Sequence, residues 1–100
     1  MNEIEIPYFR QQNPDMDLKQ LFDSAVADSK DLNIRPSNDT LLQLYALYKQ
    51  SIEGDQEAAP PSNPFDFVAR AKYDAWVSMK GKSREAAMKE YIQLVEKLKN

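Results

Sequence analysis

The 100-residue chain has no cysteine, no histidine and only two glycines. Without cysteine there is no disulfide, no thiolate metal site and no catalytic thiol. Without histidine the commonest general base and the commonest metal ligand are missing too. Enzyme chemistry would fall to carboxylates, lysines or tyrosines alone, so the chain reads as a non-enzyme without a cofactor. So few glycines argue against a turn-rich β fold and for helices. No apolar run approaches the roughly 20 residues of a membrane-spanning helix. Residues 1–16 carry Glu3 and Glu5 and no apolar segment of the signal-peptide kind, so the cytoplasm is the expected compartment. A basic excess is lacking as well: a net charge of −3 argues against a general nucleic-acid binder. A local cluster of two or three cations aimed at one small anion is still allowed.

What remains is an ordinary soluble composition, 42% hydrophobic and 29% charged, at the length of a single small domain. Pro7 and Pro14 break residues 1–16, where Ile4, Ile6 and Tyr8 alternate with polar neighbours. These residues are expected to form a partly ordered extension ahead of a domain over 17–100. A first helix is expected after Asp17, with Leu18, Leu21, Phe22, Ala25 and Val26 on one face, ending near Asp31 to Asn33. A second starts at Ser37 or Asn38 and stops at Gly54. A third runs from Phe65 or Asp66 to Lys80, with Gly81 as its stop. A fourth is capped by Ser83 and carries Met88, Tyr91, Ile92, Val95 and Leu98 as its stripe.

The stretch from Gly54 to Pro64 holds three prolines and no periodicity, and loops of that length in a compact domain are uncommon. About eleven residues reach up to roughly 35 Å, whereas a helix of about 16 residues is only some 24 Å long. The link can therefore run back along all of helix two and leave helices two and three parallel. Short links elsewhere favour antiparallel neighbours. The expected architecture is all-α, a four-helix bundle with a long loop between helices 2 and 3.

Helix two carries the most information. Tyr45, Tyr48 and Lys49 stand at i, i+3 and i+4, with Leu41 and Leu42 one turn earlier. An apolar strip thus leads into two amphipathic rings and a cation, an order that suits a ligand with a greasy tail, a flat ring and a phosphate. The same spacing equally fits half-buried core tyrosines beside a solvated lysine. Helix three adds Lys72, with Trp76 one turn on, a residue more often core than ligand platform.

Tyr45-Ala46-Leu47-Tyr48-Lys49-Gln50 followed by Gly54-Asp55 resembles the YxxYKQ…GD signature of the acyl-CoA-binding protein family. Lys72-Tyr73-Asp74-Ala75-Trp76, then Lys80-Gly81-Lys82-Ser83, Ala87-Met88 and Tyr91-Ile92, is similar to that family's KWDAW…KGxSxxxAMxxYI run, and the likeness spans roughly Leu18 to Lys99. The resemblance implies an up-down-down-up bundle that carries acyl-CoA esters without changing them. It implies that Tyr45, Lys49 and Lys72 hold the 3′-phosphate of coenzyme A and that Tyr48 lies near the adenine. It further implies ligand contacts from Lys30 and Tyr91, with Leu41 and Leu42 lining an apolar groove for a medium or long acyl chain. Two positions depart from the pattern. Tyr73 stands where the family has tryptophan, and Val68 where many members carry lysine, so one phosphate contact is lost there or supplied by Arg70. The expected protein is a monomer with acyl-CoA as its partner, and no nucleic acid or stable membrane insertion. The rival reading is a helical protein-interaction module on the same fold.

Overall fold

The computed structural model describes the backbone of residues 14–99 and the side chains of residues 18–99. Four helices make up the regular structure of that part: α1 (Pro14–Ser29), α2 (Asn38–Glu53), α3 (Phe67–Val77) and α4 (Arg84–Leu98). Most of the extension expected over 1–16 lies outside the described residues. Helix α1 runs back to Pro14, ahead of the expected start, and proline suits a first helical turn, where its missing N–H costs nothing.

The helix starts follow local chemistry. The Ser37 hydroxyl accepts from the Thr40 amide, the Asp66 carboxylate from Ala69 and the Ser83 hydroxyl from Ala86. Each side chain satisfies an amide that the helix itself leaves unpaired. Gly54 ends α2 at φ 80°, a backbone angle that suits glycine. Helix α3 stops short of the expected Lys80. Beyond Val77 the chain tightens, with Met79 N–H donating to Trp76 O and Lys80 N–H to Val77 O, before Gly81 turns it at φ 91°.

Contacts between helices give their directions. Lys72 meets Tyr45 and Lys49 meets Trp76, so residue numbers rise together along α2 and α3, which are parallel. Tyr91 meets Tyr48 while Arg84 meets Glu53, so α4 is antiparallel to α2. Phe22 packs on Tyr91 and Asp28 pairs with Lys99, so α1 and α4 are parallel. The order is up, down, down, up, as expected from the loop's reach.

The core belongs mainly to three helices. Phe22 and Ala25 from α1, Leu44 and Leu47 from α2, and Ala87, Tyr91 and Val95 from α4 form one buried cluster. Helix α3 buries only Trp76 and leans chiefly on α2. The loop after α2 is pinned at its root. Gln50, fully buried, donates from Nε2 to Asp55 Oδ1 and to Lys82 O, both at 2.8 Å, and Asp55 Oδ1 also accepts from Gly81 N–H at 2.9 Å. These bonds tie the end of α2 to the α3–α4 turn, which fixes α3 alongside α2.

Candidate functional site

The seam between α2 and α3 gathers three of the polar residues singled out in the sequence, Tyr45, Lys49 and Lys72. A step of four residues advances a helix by about one turn, so Tyr45 and Lys49 on α2 face Lys72 and Trp76 on α3 in matched register. Lys72 Nζ stands 5.4 Å from the centre of the Tyr45 ring, and Lys49 Nζ stands 4.9 Å from that of Trp76. Each cation lies on a ring of the opposite helix, a contact that contributes roughly 0.5–1 kcal/mol at exposed sites. Trp76 is held in turn by its Nε1–H, which donates to Gly54 O at 2.8 Å. The Tyr73 hydroxyl donates to Ala58 O at 3.0 Å and fastens the long loop over the same side of α3.

The two lysines differ in their surroundings. Lys49 donates to the Glu53 carboxylate one turn on, and its side chain is only 26% exposed. The hydrogen bond to Glu53 raises the Lys49 pKa above its usual value, against a smaller opposing effect of burial. Lys72 is exposed and has no ion pair among the described residues. Two lysines, each with its ammonium over an aromatic ring of the facing helix, line the seam, one of them paired with Glu53.

Tyr48 turns elsewhere. Successive helical residues are about 100° apart, so Lys49 can face α3 while Tyr48 faces α1 and α4. Its ring lies 6.1 Å from Phe22 and 6.3 Å from Tyr91. Tyr91 is 4% exposed, and its hydroxyl donates to Ser29 Oγ at 3.1 Å. Burial raises the Tyr91 pKa, more than the Ser29 bond lowers it. Leu41 is half-buried against the core, and Leu42 is half-buried as well. Lys30 sits exposed in the turn that closes α1, where its N–H donates to Ala27 O.

Three comparisons bear on this arrangement. A family model described as "Acyl CoA binding protein" matches residues 19–95. The chain is 47% identical over 81 residues to the acyl-CoA-binding protein homolog of Drosophila melanogaster, covering 81% of this chain and 93% of that protein. It is 46% identical over 81 residues to the acyl-CoA-binding protein of Saccharomyces cerevisiae, covering 92% of it. The chain belongs to the acyl-CoA-binding protein family. Among solved structures, the crystal structure of Oryza sativa acyl-CoA-binding protein 2 superposes with a TM-score of 0.77 at 38% identity, covering 81% of this chain and 89% of that one.

Family membership accounts for the bundle, and the structure adds features around the seam that spacing alone did not bring out. Beside Tyr48 lies an open cavity of about 620 Å³, lined by apolar Phe22, Val26 and Met88 and by the charged residues Lys19, Asp23, Arg84 and Glu85. It opens among α1, α2 and α4, on the other side of α2 from Lys72. Trp76, read from the sequence as more often core than ligand platform, is 7% exposed and lies beneath the Lys49 ammonium. Glu53 was missed, although its i,i+4 spacing from Lys49 was the available signal. Among the described residues no set of side chains is arranged to hold a metal ion, and no helix is long and apolar enough to cross a membrane.

Proposed function

We propose that this protein is a non-enzymatic intracellular carrier of medium- and long-chain acyl-CoA esters, acting as a monomer in the cytoplasm and supplying fatty-acid metabolism. The observation that carries the reading is the convergence of Lys49 and Lys72 in one seam, each ammonium on a ring of the facing helix. The phosphate of the coenzyme A head binds there, with the Tyr45 hydroxyl as a third donor. Tyr48, which borders the cavity among α1, α2 and α4, meets the adenine, and Tyr91 supports its ring from behind. Lys30 adds charge from the end of α1. Leu41 and Leu42, one turn before Tyr45, begin the surface for the acyl chain.

The magnitudes suit such a ligand. Each buried methylene contributes about 0.8 kcal/mol, so ten supply roughly 8 kcal/mol before ordering costs. A charge-assisted hydrogen bond to phosphate adds about 1.5–3 kcal/mol. A dissociation constant between about 1 µM and 1 nM, or −8 to −12 kcal/mol, follows once ordering is subtracted. With no histidine or cysteine in the chain, nothing forms the usual nucleophile and base for breaking the thioester.

Calorimetric titration with hexadecanoyl-CoA tests the reading. Lys49→Ala and Lys72→Ala are each expected to weaken binding while leaving the helical signal intact. Unchanged affinity in both removes the seam from the site. The competing reading, a protein-interaction module, draws on the exposure of Phe65, Phe67 and Val68 at the start of α3. Native mass spectrometry separates the two, since a carrier retains added acyl-CoA and a module ignores it.

A further inference from the structure

Glu53 occupies an unfavourable place. It is the last residue of α2, at the negative end of the helix dipole, where the helix's own last turn holds no basic residue and the Arg84 guanidinium reaches the backbone carbonyl rather than the carboxylate. Its ion pair with Lys49 has the lysine on the N-terminal side, the weaker orientation of an i,i+4 pair. The side chain is 49% exposed, so water screens the pair and leaves the carboxylate room to rotate away. The backbone is fixed independently. Glu53 O accepts from Arg84 Nη2 at 3.2 Å, and the Gly54 N–H donates to Gln50 O. The carboxylate can therefore leave Lys49 without disturbing the helix end. The neighbouring cation, Lys72, has no such counter-ion among the described residues.

We propose that Glu53 is an affinity-setting residue, an internal counter-ion that competes with the ligand's phosphate for Lys49. The inference rests on the carrier reading, because it assigns the phosphate to Lys49. In the empty protein the carboxylate neutralises that ammonium. A phosphate monoester, with nearly two negative charges against one, displaces it on binding. When the ligand departs, Glu53 returns, so Lys49 is never left as an unpaired, partly buried cation. The carboxylate thus lowers affinity for the bound state and eases release, which suits a protein whose task is to hand its cargo on.

Glu53→Gln keeps the size and shape of the side chain and removes its charge. Titration with hexadecanoyl-CoA at low salt should show binding tightened by up to roughly fivefold, the range of a single partly exposed ion pair. The gain should shrink as salt is added. In a Lys49→Ala background the same change should have no effect, because the competition has lost its object. Urea unfolding of Glu53→Gln should match that of the parent, excluding a change in fold. Unaltered or weaker binding by Glu53→Gln overturns the proposal. So does tightening that persists without Lys49, since that would be a general effect of net charge. If the parent fails to bind acyl-CoA at all, the carrier reading falls and this inference with it. Binding by the parent with a flat response to Glu53→Gln overturns the inference alone.

Discussion

Replacing Tyr91 separates a ring that fills the core from a hydroxyl that reaches out of it. The ring is 4% exposed, meets Phe22 edge-on at 5.2 Å and lies 6.3 Å from Tyr48. The hydroxyl donates to Ser29 Oγ, and Ser29 in turn donates to Val26 O at 2.7 Å. In Tyr91→Phe the serine keeps its own bond and loses only an incoming one, so no donor is stranded. The cost should be that of one neutral hydrogen bond, about 0.5–1.5 kcal/mol. Tyr91→Ala also removes the ring and leaves a cavity among α1, α2 and α4. Large-to-small changes of this kind cost about 3–5 kcal/mol, which includes the loss of aromatic pairs worth roughly 0.5–1.5 kcal/mol each. A small domain is stable by about 5–15 kcal/mol, so Tyr91→Ala approaches the limit of folding. Urea unfolding followed by far-ultraviolet circular dichroism reads both variants, with Trp76, the only tryptophan in the chain, as a second probe near the seam. Nearly equal losses in the two variants would refute the reasoning, because the hydroxyl would then carry what is assigned here to the ring.

Three further outcomes are expected. Leu47→Ala, at a side chain only 1% exposed, should cost about 2–5 kcal/mol in chemical denaturation, because the site joins all three core helices. Burial raises the Tyr91 pKa, so the native state holds that proton more tightly than the unfolded chain. Its contribution is complete below the ordinary phenol value of about 10 and is lost as pH rises through the higher folded value. Tyr91→Phe should therefore flatten the alkaline end of a stability–pH curve. The Gly81 amide, and then Gln50, hold the Asp55 carboxyl below its usual range, so its contribution is present above the unfolded value and lost as pH falls through the folded one. Asp55→Asn should remove that acid dependence and loosen the link between the α2 end and the α3–α4 turn, read by hydrogen exchange at Gly81.

The bundle was legible because its signals are local or simply geometric. Ser83 caps the helix it was expected to cap, α2 begins at Asn38 behind a Ser37 cap, within the two starts the sequence left open, and the reach of the 54–64 stretch allowed parallel α2 and α3 before any contact was known. The end of α3 was overestimated because Met79 fits the apolar spacing, yet its amide bonds three residues back to Trp76 and the helix has already tightened into a turn. The site was legible in its residue types more than in their directions. Spacing groups Tyr45, Tyr48 and Lys49 as neighbours, but the roughly 100° between Tyr48 and Lys49 means that different helices cover them, and only packing decides which. Trp76 shows the same limit from the other side. A tryptophan on an apolar face is read as core or platform, whereas here its ring packs beneath Lys49 while its Nε1–H closes onto Gly54 O. Glu53 was present in the sequence at helical spacing from Lys49, but i,i+4 spacing cannot distinguish a solvated pair from one whose cation stands over a partner helix's ring. That distinction exists only once α3 is laid parallel to α2, so the charge balance of the seam is a property of topology rather than of either helix.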